Sequence, residues 1–291
     1  MKRILIISDG KPGHLNQSIA FCNIKNISYD ILEVKFKNKA QKLLSYVYDK
    51  VDFYTDALFV EYRKYYLEFY DAVVSTGSNT YYFNKFIANK CNIKSIVLMF
   101  PKSYKYSTFD HIIAQEHDKT PDLNNIIKIP LNISFSKAKG YIKKIEDKKS
   151  LAIVIGGDNK IFSMNERKIK EKLDFIFSKF SDYKKYVTTS RRTSEEVEAL
   201  IESYDFDYKL IYSKEPNINP IGDFIEVCDE LFITIDSTSM ISEARANTNA
   251  KVNIIELDSK KNNTKFHKLA EIVNKIDKKV DFSELLKDIK I

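Results

Sequence analysis

Two kinds of stretch alternate along this chain. Short runs that are apolar nearly throughout lie at Arg3–Ser8 (RILIIS), Ala72–Thr76 (AVVST), Ser95–Phe100 (SIVLMF), His111–Gln115 (HIIAQ) and Ile126–Ile129 (IIKI). Runs this short, rich in Ile, Val and Leu, predict strands covered on both faces. Asp30–Val34 adds another. Between them apolar residues recur at helical spacing, through Leu15, Ile19, Ala20 and Phe21 and again through Phe83, Phe86 and Ile87. Residues 35–69 are long, Lys-rich and aromatic, with Leu43, Leu44, Val47, Val51, Leu58, Tyr62, Tyr65 and Phe69 near helical spacing. They predict two helices, or one long one with a break, packed on the sheet. The functional alternative is a basic aromatic face resting on a membrane or holding a lipid-linked acceptor.

The charged, weakly patterned stretch Ser136–Ser150 marks a domain boundary, and the alternation then restarts. Leu151–Ile155, Tyr186–Thr189, Tyr208–Ser213, Leu231–Ile235 and Lys251–Leu257 read as strands. Ser163 with Glu166, and Thr193 with Glu196, have the spacing of capping boxes at helix starts. Further helices are expected around Ile221–Val227, through Met240, Ile241, Ala244 and Ala246, near Thr264–Ile276 and over Phe282–Ile289. The pattern predicts an α/β protein of two Rossmann-like domains, 1–137 and 138–291, with parallel sheets facing a central cleft. The last helix is free to pack back on the first domain.

Composition narrows the class. The chain has 291 residues, 44% of them hydrophobic and 30% charged, which suits a globular protein with ample core. Its 47 Lys and Arg against 40 Asp and Glu leave +7, mild enough to favour a polyanionic small molecule or an anionic lipid surface over nucleic acid. Cys22, Cys91 and Cys228 are odd in number and far apart, so reduced thiols in the cytoplasm are expected and no metal site. The N-terminal apolar run is too short for a signal peptide, and nothing approaches the roughly 20 apolar residues of a membrane span.

The candidate chemistry lies where strands turn into helices. Such turns present unpaired N–H groups and a positive dipole end, which favour phosphate. The first runs SDGKPGHLNQS and offers Lys11, Gly13, Asn16 and Gln17 as binding groups. His14 opens its helix, where the dipole favours a neutral, proton-accepting imidazole; a plain capping role is the alternative. Gly77 begins a second small-residue turn. Glu116, His117 and Asp118 end a strand and could bind an acceptor hydroxyl or form a solvated turn. In the second half Gly156 and Gly157 let backbone approach a ligand, with Asn159 and Lys160 beside them. Ser190, Arg191 and Arg192 precede a helix, and paired Arg suits a diphosphate. Asp236, Ser237, Thr238, Ser239 and Met240 open another helix, with Glu243 one turn in, within reach of a ribose. No GxGxxG, Walker loop or GxSxG elbow is present.

SDGKPGHLNQS (8–18), FDHIIAQEHD (109–118), IGGDNK (155–160), TTSRRT (188–193) and ITIDSTSMISEA (233–244) together resemble the mitochondrial fission "elongate mitochondria" family, in order along nearly the whole chain. That family in turn looks like the GT-B glycosyltransferases, nearest the peptidoglycan N-acetylglucosamine transferase. The resemblance implies that Ser237, Thr238, Ser239 and Met240 contact a diphosphate, that Glu243 bonds the ribose, and that Gly156, Gly157 and Arg191 line the same pocket. His14 becomes a general base or sugar-binding group, with Glu116 and His117 as rivals; GKPGH replaces a longer glycine run. The activity so implied is transfer of a sugar from a UDP-linked donor to a cell-envelope acceptor at the inner membrane face. The nucleotide-sugar is a co-substrate, and neither cofactor nor metal is called for. A nucleotide-sugar epimerase and a non-catalytic membrane-surface or scaffold protein are the alternatives.

Overall fold

Ile4, Leu5, Ile6 and Ile7 are all essentially inaccessible to solvent, which explains why their run forms a central strand. The computed structural model describes residues 2–62, 69–116, 118–262 and 264–291. It divides into two compact units, 1–135 with 281–291, and 136–280.

The first unit runs β1 (Arg3–Ser8), α1 (Pro12–Ile24), β2 (Ser28–Glu33), α2 (Lys39–Lys50), β3 (Ala72–Thr76), α3 (Tyr81–Cys91), β4 (Lys94–Leu98), β5 (His111–Gln115) and β6 (Ile126–Ile129). The strands form one parallel sheet in the order β2-β1-β3-β4-β5-β6. Ile6 stands opposite Ile31 on one side and Val74 on the other. Since the chain leaves β1 toward β2 and returns to β3 on the other flank, the strand order reverses at β1/β3. Loops diverge there at the strands' C-terminal ends and leave room for a ligand. The terminal segment, with a short helix at Phe282–Leu285, belongs to this unit. Leu286 and Ile289 are buried, and Lys25 Nζ donates to the Leu286 carbonyl at 3.1 Å.

Helix α2 packs only in part as its spacing predicts: Leu44 lies against the core, as do Leu58 and Tyr62 beyond the helix. Leu43, Val47 and Val51 are exposed, while Ser45 and Asp49 are fully buried. The aromatics around it turn inward: Phe59 and Tyr82 are core, and Tyr46, Tyr48, Tyr54 and Tyr62 pack against them. Tyr65 lies outside the described residues.

The second unit runs β7 (Ser150–Val154), β8 (Phe162–Ser163), α4 (Glu166–Lys179), β9 (Lys184–Thr188), α5 (Glu195–Glu202), β10 (Tyr208–Leu210), α6 (Ile221–Val227), β11 (Glu230–Thr234), α7 (Thr238–Asn247), β12 (Lys251–Ile255), β13 (Asp258–Ser259) and α8 (Lys265–Asn274). Its parallel sheet has the order β10-β9-β7-β11-β12, and β8 pairs antiparallel with β13. Here the order reverses at β7/β11. Two helix starts fall later than the capping spacings predict. Asn165 caps α4 by accepting from Lys168 N–H, since Ser163 is drawn into β8; Ser194 caps α5 by accepting from Val197 N–H. Residues 136–149 are docked on this unit and are not a free linker. The buried Asp223 carboxylate accepts the backbone N–H groups of Lys139, Gly140 and Ile142.

Candidate functional site

Each sheet carries its candidate chemistry at the point where its strand order reverses. In the first unit the loop after β1 brings Asp9 and His14 together, with His14 Nδ1 3.0 Å from Asp9 Oδ1. Burial by itself would raise the Asp9 carboxyl. The hydrogen bonds and charges of Lys11 and His14 outweigh it and hold that carboxyl below its ordinary range. With Asp9 ionised, Nδ1–H is the donor and Nε2 is left as the acceptor. Asp9 Oδ2 takes Lys11 Nζ at 3.1 Å and the Asn79 side-chain amide, also at 3.1 Å. Lys42 Nζ, from α2, donates to Asn79 Oδ1 at 2.6 Å and to Ser78 Oγ at 2.9 Å. Desolvation, followed by the charge of Lys11, lowers the Lys42 ammonium.

Gly77 makes this arrangement possible. Its φ of +91° is in the left-handed region, and a Cβ there would stand 2.4 Å from His14 Nδ1. The imidazole therefore lies against bare backbone. Gly13 has no such role, because a Cβ on it would meet open space. Ser18 Oγ and Thr76 Oγ1, 2.8 Å apart and buried, tie α1 to the end of β3. Gln17 donates its amide to the Gly13 carbonyl, and Asn16 is exposed.

Sequence reasoning missed Asp9 and Asn79. An Asp five residues before a His across a strand-to-helix turn is a readable signal for the first. The second arrives from another strand and has none. Glu116, expected as a rival base, is exposed at the end of β5, two strands beyond β3 and so roughly 10 Å further along the sheet edge. The structure does not bring it to His14. His117 lies outside the described residues.

In the second unit the loops after β7, β9 and β11 meet. Asp236 Oδ2 accepts Gly157 N–H at 3.0 Å and Arg192 Nη2 at 2.7 Å. Thr193 Oγ1 donates to the Gly156 carbonyl at 2.5 Å. Gly156 and Gly157 are both required by contact: a Cβ on the first would lie 2.2 Å from Asp236 Oδ2, and one on the second 1.9 Å from the Arg192 carbonyl oxygen. The Asp236 side chain is fully buried, and its Oδ1 has no hydrogen-bond partner among the described residues. Ser237 stands at the N-cap of α7 without making a side-chain cap; its hydroxyl turns to Asp236. The N–H groups of Thr238, Ser239 and Met240 are thus left for a ligand or water.

Other expected contacts are partly spent. Asn159 Oδ1 accepts the N–H groups of Ile161 and Phe162, which closes a local turn, and Lys160 beside it is exposed. Ser190 is tied to Thr193, whereas Arg191 is exposed with no hydrogen-bond partner among the described residues. Burial raises the Glu243 carboxyl above its ordinary range, partly offset by a hydrogen bond with Ser136. No group of three or more His, Cys, Asp or Glu able to hold a metal occurs among the described residues. Burial pushes the Cys22 and Cys228 thiols up to about 12.

Two parallel α/β sheets of Rossmann type, each with a loop-built polar site at its reversal point, place the protein among GT-B-like folds. Residues 12–284 match the family described as Mitochondrial fission ELM1, and the chain belongs to that family. A Rickettsia prowazekii protein, RP120, is 25% identical over 288 residues, covering 83% of this chain and 80% of its own. Among solved structures, a Listeria monocytogenes protein assigned as a UDP-N-acetylglucosamine 2-epimerase aligns over 99% of this chain and 87% of its own, at 12% identity and a TM-score of 0.54. The Neisseria meningitidis UDP-GlcNAc 2-epimerase bound to UDP-GlcNAc covers 99% and 90%, at 11% identity and a TM-score of 0.47.

Proposed function

We propose that the protein transfers a sugar from a nucleoside-diphosphate-sugar, UDP-linked, to a hydroxyl of a cell-envelope acceptor. The observation that carries this reading is the Asp9–His14 pair: a buried carboxylate orients an imidazole whose outer nitrogen can accept a proton. In the reaction His14 Nε2 removes the acceptor hydroxyl proton, and the oxygen forms its bond to the anomeric carbon. The bond from that carbon to the diphosphate oxygen breaks, and the nucleoside diphosphate leaves with the electron pair.

The second unit, taken by itself, carries groups suited to a diphosphate. The uncapped start of α7 and the exposed Arg191 offer N–H donors and a cation to the diphosphate oxygens. Asp236 holds Arg192 and the Gly157 backbone in place, so the cradle needs no reorganisation when ligand arrives. Glu243 is assigned to the ribose. The likeness to the Listeria protein supports a nucleotide-sugar as ligand. It also favours a second reading, an epimerase needing no acceptor.

Calorimetry with UDP and UDP-sugars tests the common part. Binding is expected, and it should weaken in Arg191→Ala; no binding of any nucleoside diphosphate at millimolar concentration would sink both readings. Incubation of UDP-sugar alone separates them, since an isomer appearing without acceptor assigns the epimerase.

A further inference from the structure

Helix α2 packs Leu44, Tyr46 and Tyr48 against the core yet also buries polar groups and leaves an aliphatic stripe outside. Its inward face carries Ser45 and Asp49, and its outward face carries Leu43 and Val47 and continues to Val51, exposed by 65%, 58% and 70%. The inward polar groups are fully used. Asp49 Oδ1 takes Lys85 Nζ at 2.5 Å and Asp49 Oδ2 takes Lys105 N–H at 2.6 Å, while Ser45 Oγ donates to the Lys42 carbonyl. The Lys85 ammonium is enclosed beside the Phe109 ring at 4.2 Å, and burial lowers it to about 8. These contacts fix the rotation of the helix, so the apolar stripe cannot turn inward without stranding a buried charge pair.

The stripe has a basic border. At about 100° per residue, Lys39, Ala40, Leu43, Val47 and Lys50 share one arc of the helix, on the side away from Asp49. Lys35 and Lys37 are exposed in the segment leading into it. Residues 35–53 contain five Lys and two Asp, and both Asp are bound to lysines of other elements, Asp49 to Lys85 and Asp52 to Lys105. What remains outward on the helix is aliphatic and flanked by Lys39 and Lys50, which have no acidic partner among the described residues; Lys35, before the helix, lies beside Glu33 and Glu61. We infer that α2 is a membrane-docking helix that lays Leu43, Val47 and Val51 into an anionic bilayer surface while Lys39 and Lys50 meet lipid phosphates. An amphipathic helix lying in the plane of the membrane has this arrangement, and it needs no spanning segment. No helix among the described residues is long and apolar enough to cross a membrane.

Vesicle sedimentation of the full chain tests this without any sugar nucleotide, so it stands or falls apart from the proposed reaction. Mixed phosphatidylglycerol–phosphatidylcholine vesicles should bind the protein at least about tenfold better than phosphatidylcholine alone, and added salt should weaken binding. The double variant Val47→Glu/Val51→Glu should lose at least about tenfold, and Lys39→Ala/Lys50→Ala several-fold, both with an unchanged Tm. Val47→Ser/Val51→Ser is the milder pair should the charged one unfold. Equal binding to both vesicle types, no binding, or a valine variant that binds like the parent would overturn the inference. So would a dimer in solution that Val47→Glu/Val51→Glu converts to monomer, because the stripe would then belong to a second copy.

Discussion

The two units use one architectural device for different chemistry. In both, parallel strands diverge at a point of reversed order and backbone glycines clear the space. The first unit fills that space with an imidazole locked to a carboxylate, Gly77 giving the ring its bed. The second fills it with a carboxylate that clamps an arginine and a peptide N–H, and leaves a helix start bare. On the proposed function, the first site moves a proton and the second holds negative charge. A shared frame therefore says where chemistry happens, and the side chains on the loops say which chemistry.

The sharpest way to break that division is His14→Ala. If the imidazole is the base, turnover should fall by about 10²–10⁴ while UDP affinity measured by calorimetry stays the same. Asp9→Asn should cost less, about 10–100-fold in kcat, since Nδ1 loses its anionic partner. Loss of nucleotide binding in either variant would erase the separation of roles between the units. Gly157→Ala acts on the other side of the comparison. Its Cβ meets backbone, which cannot yield as a flexible side chain would, so about 3 kcal/mol of stability should be lost and Tm should drop. Arg192→Ala should cost about 1–3 kcal/mol, because Asp236 would remain buried beside only the Gly157 N–H and Ser237. Adding Asp236→Asn should restore part of it, and denaturant melts of the four-member cycle measure the coupling.

The smallest effect has opposite signs in the two units. Asp9 titrates below its ordinary 3.8, so its contribution is complete above that value and drains away as pH falls through the depressed one. Glu243 titrates above its ordinary 4.5, so its contribution is complete below that value and is lost as pH rises through the raised one. Melting curves against pH should therefore steepen at the acid end through Asp9. Glu243→Gln should flatten the decline on the neutral side.

Strands were the legible part of the sequence. Arg3–Ser8, Ala72–Thr76, His111–Gln115 and Ile126–Ile129 have the bounds their apolar runs predict; the first three are buried through most of their length, and the last is a half-buried edge strand. Caps were legible only to within a residue or two. Where Ser163, Asn165, Thr193 and Ser194 crowd a helix start, the hydrogen-bond geometry chooses between them. Helix α2 was misread for a deeper reason: periodicity gives a face and not its direction. Asp49 points inward because Lys85 waits there, 36 positions along the chain. The Asp236–Arg192 clamp was hidden in the same way, its members 44 positions apart.

The terminal segment carries a consequence for biosynthesis. Residues 281–291 complete the first unit, with Leu286 and Ile289 sealed in it, yet the ribosome makes them after all of the second. The first unit has its whole sheet by Ile129 but must wait for Leu286 and Ile289 through some 145 residues of translation, counted from 136 to 280. A fragment cut at 135 would be a protein missing its last piece, and the natural way to isolate that unit is to graft the terminal segment onto it.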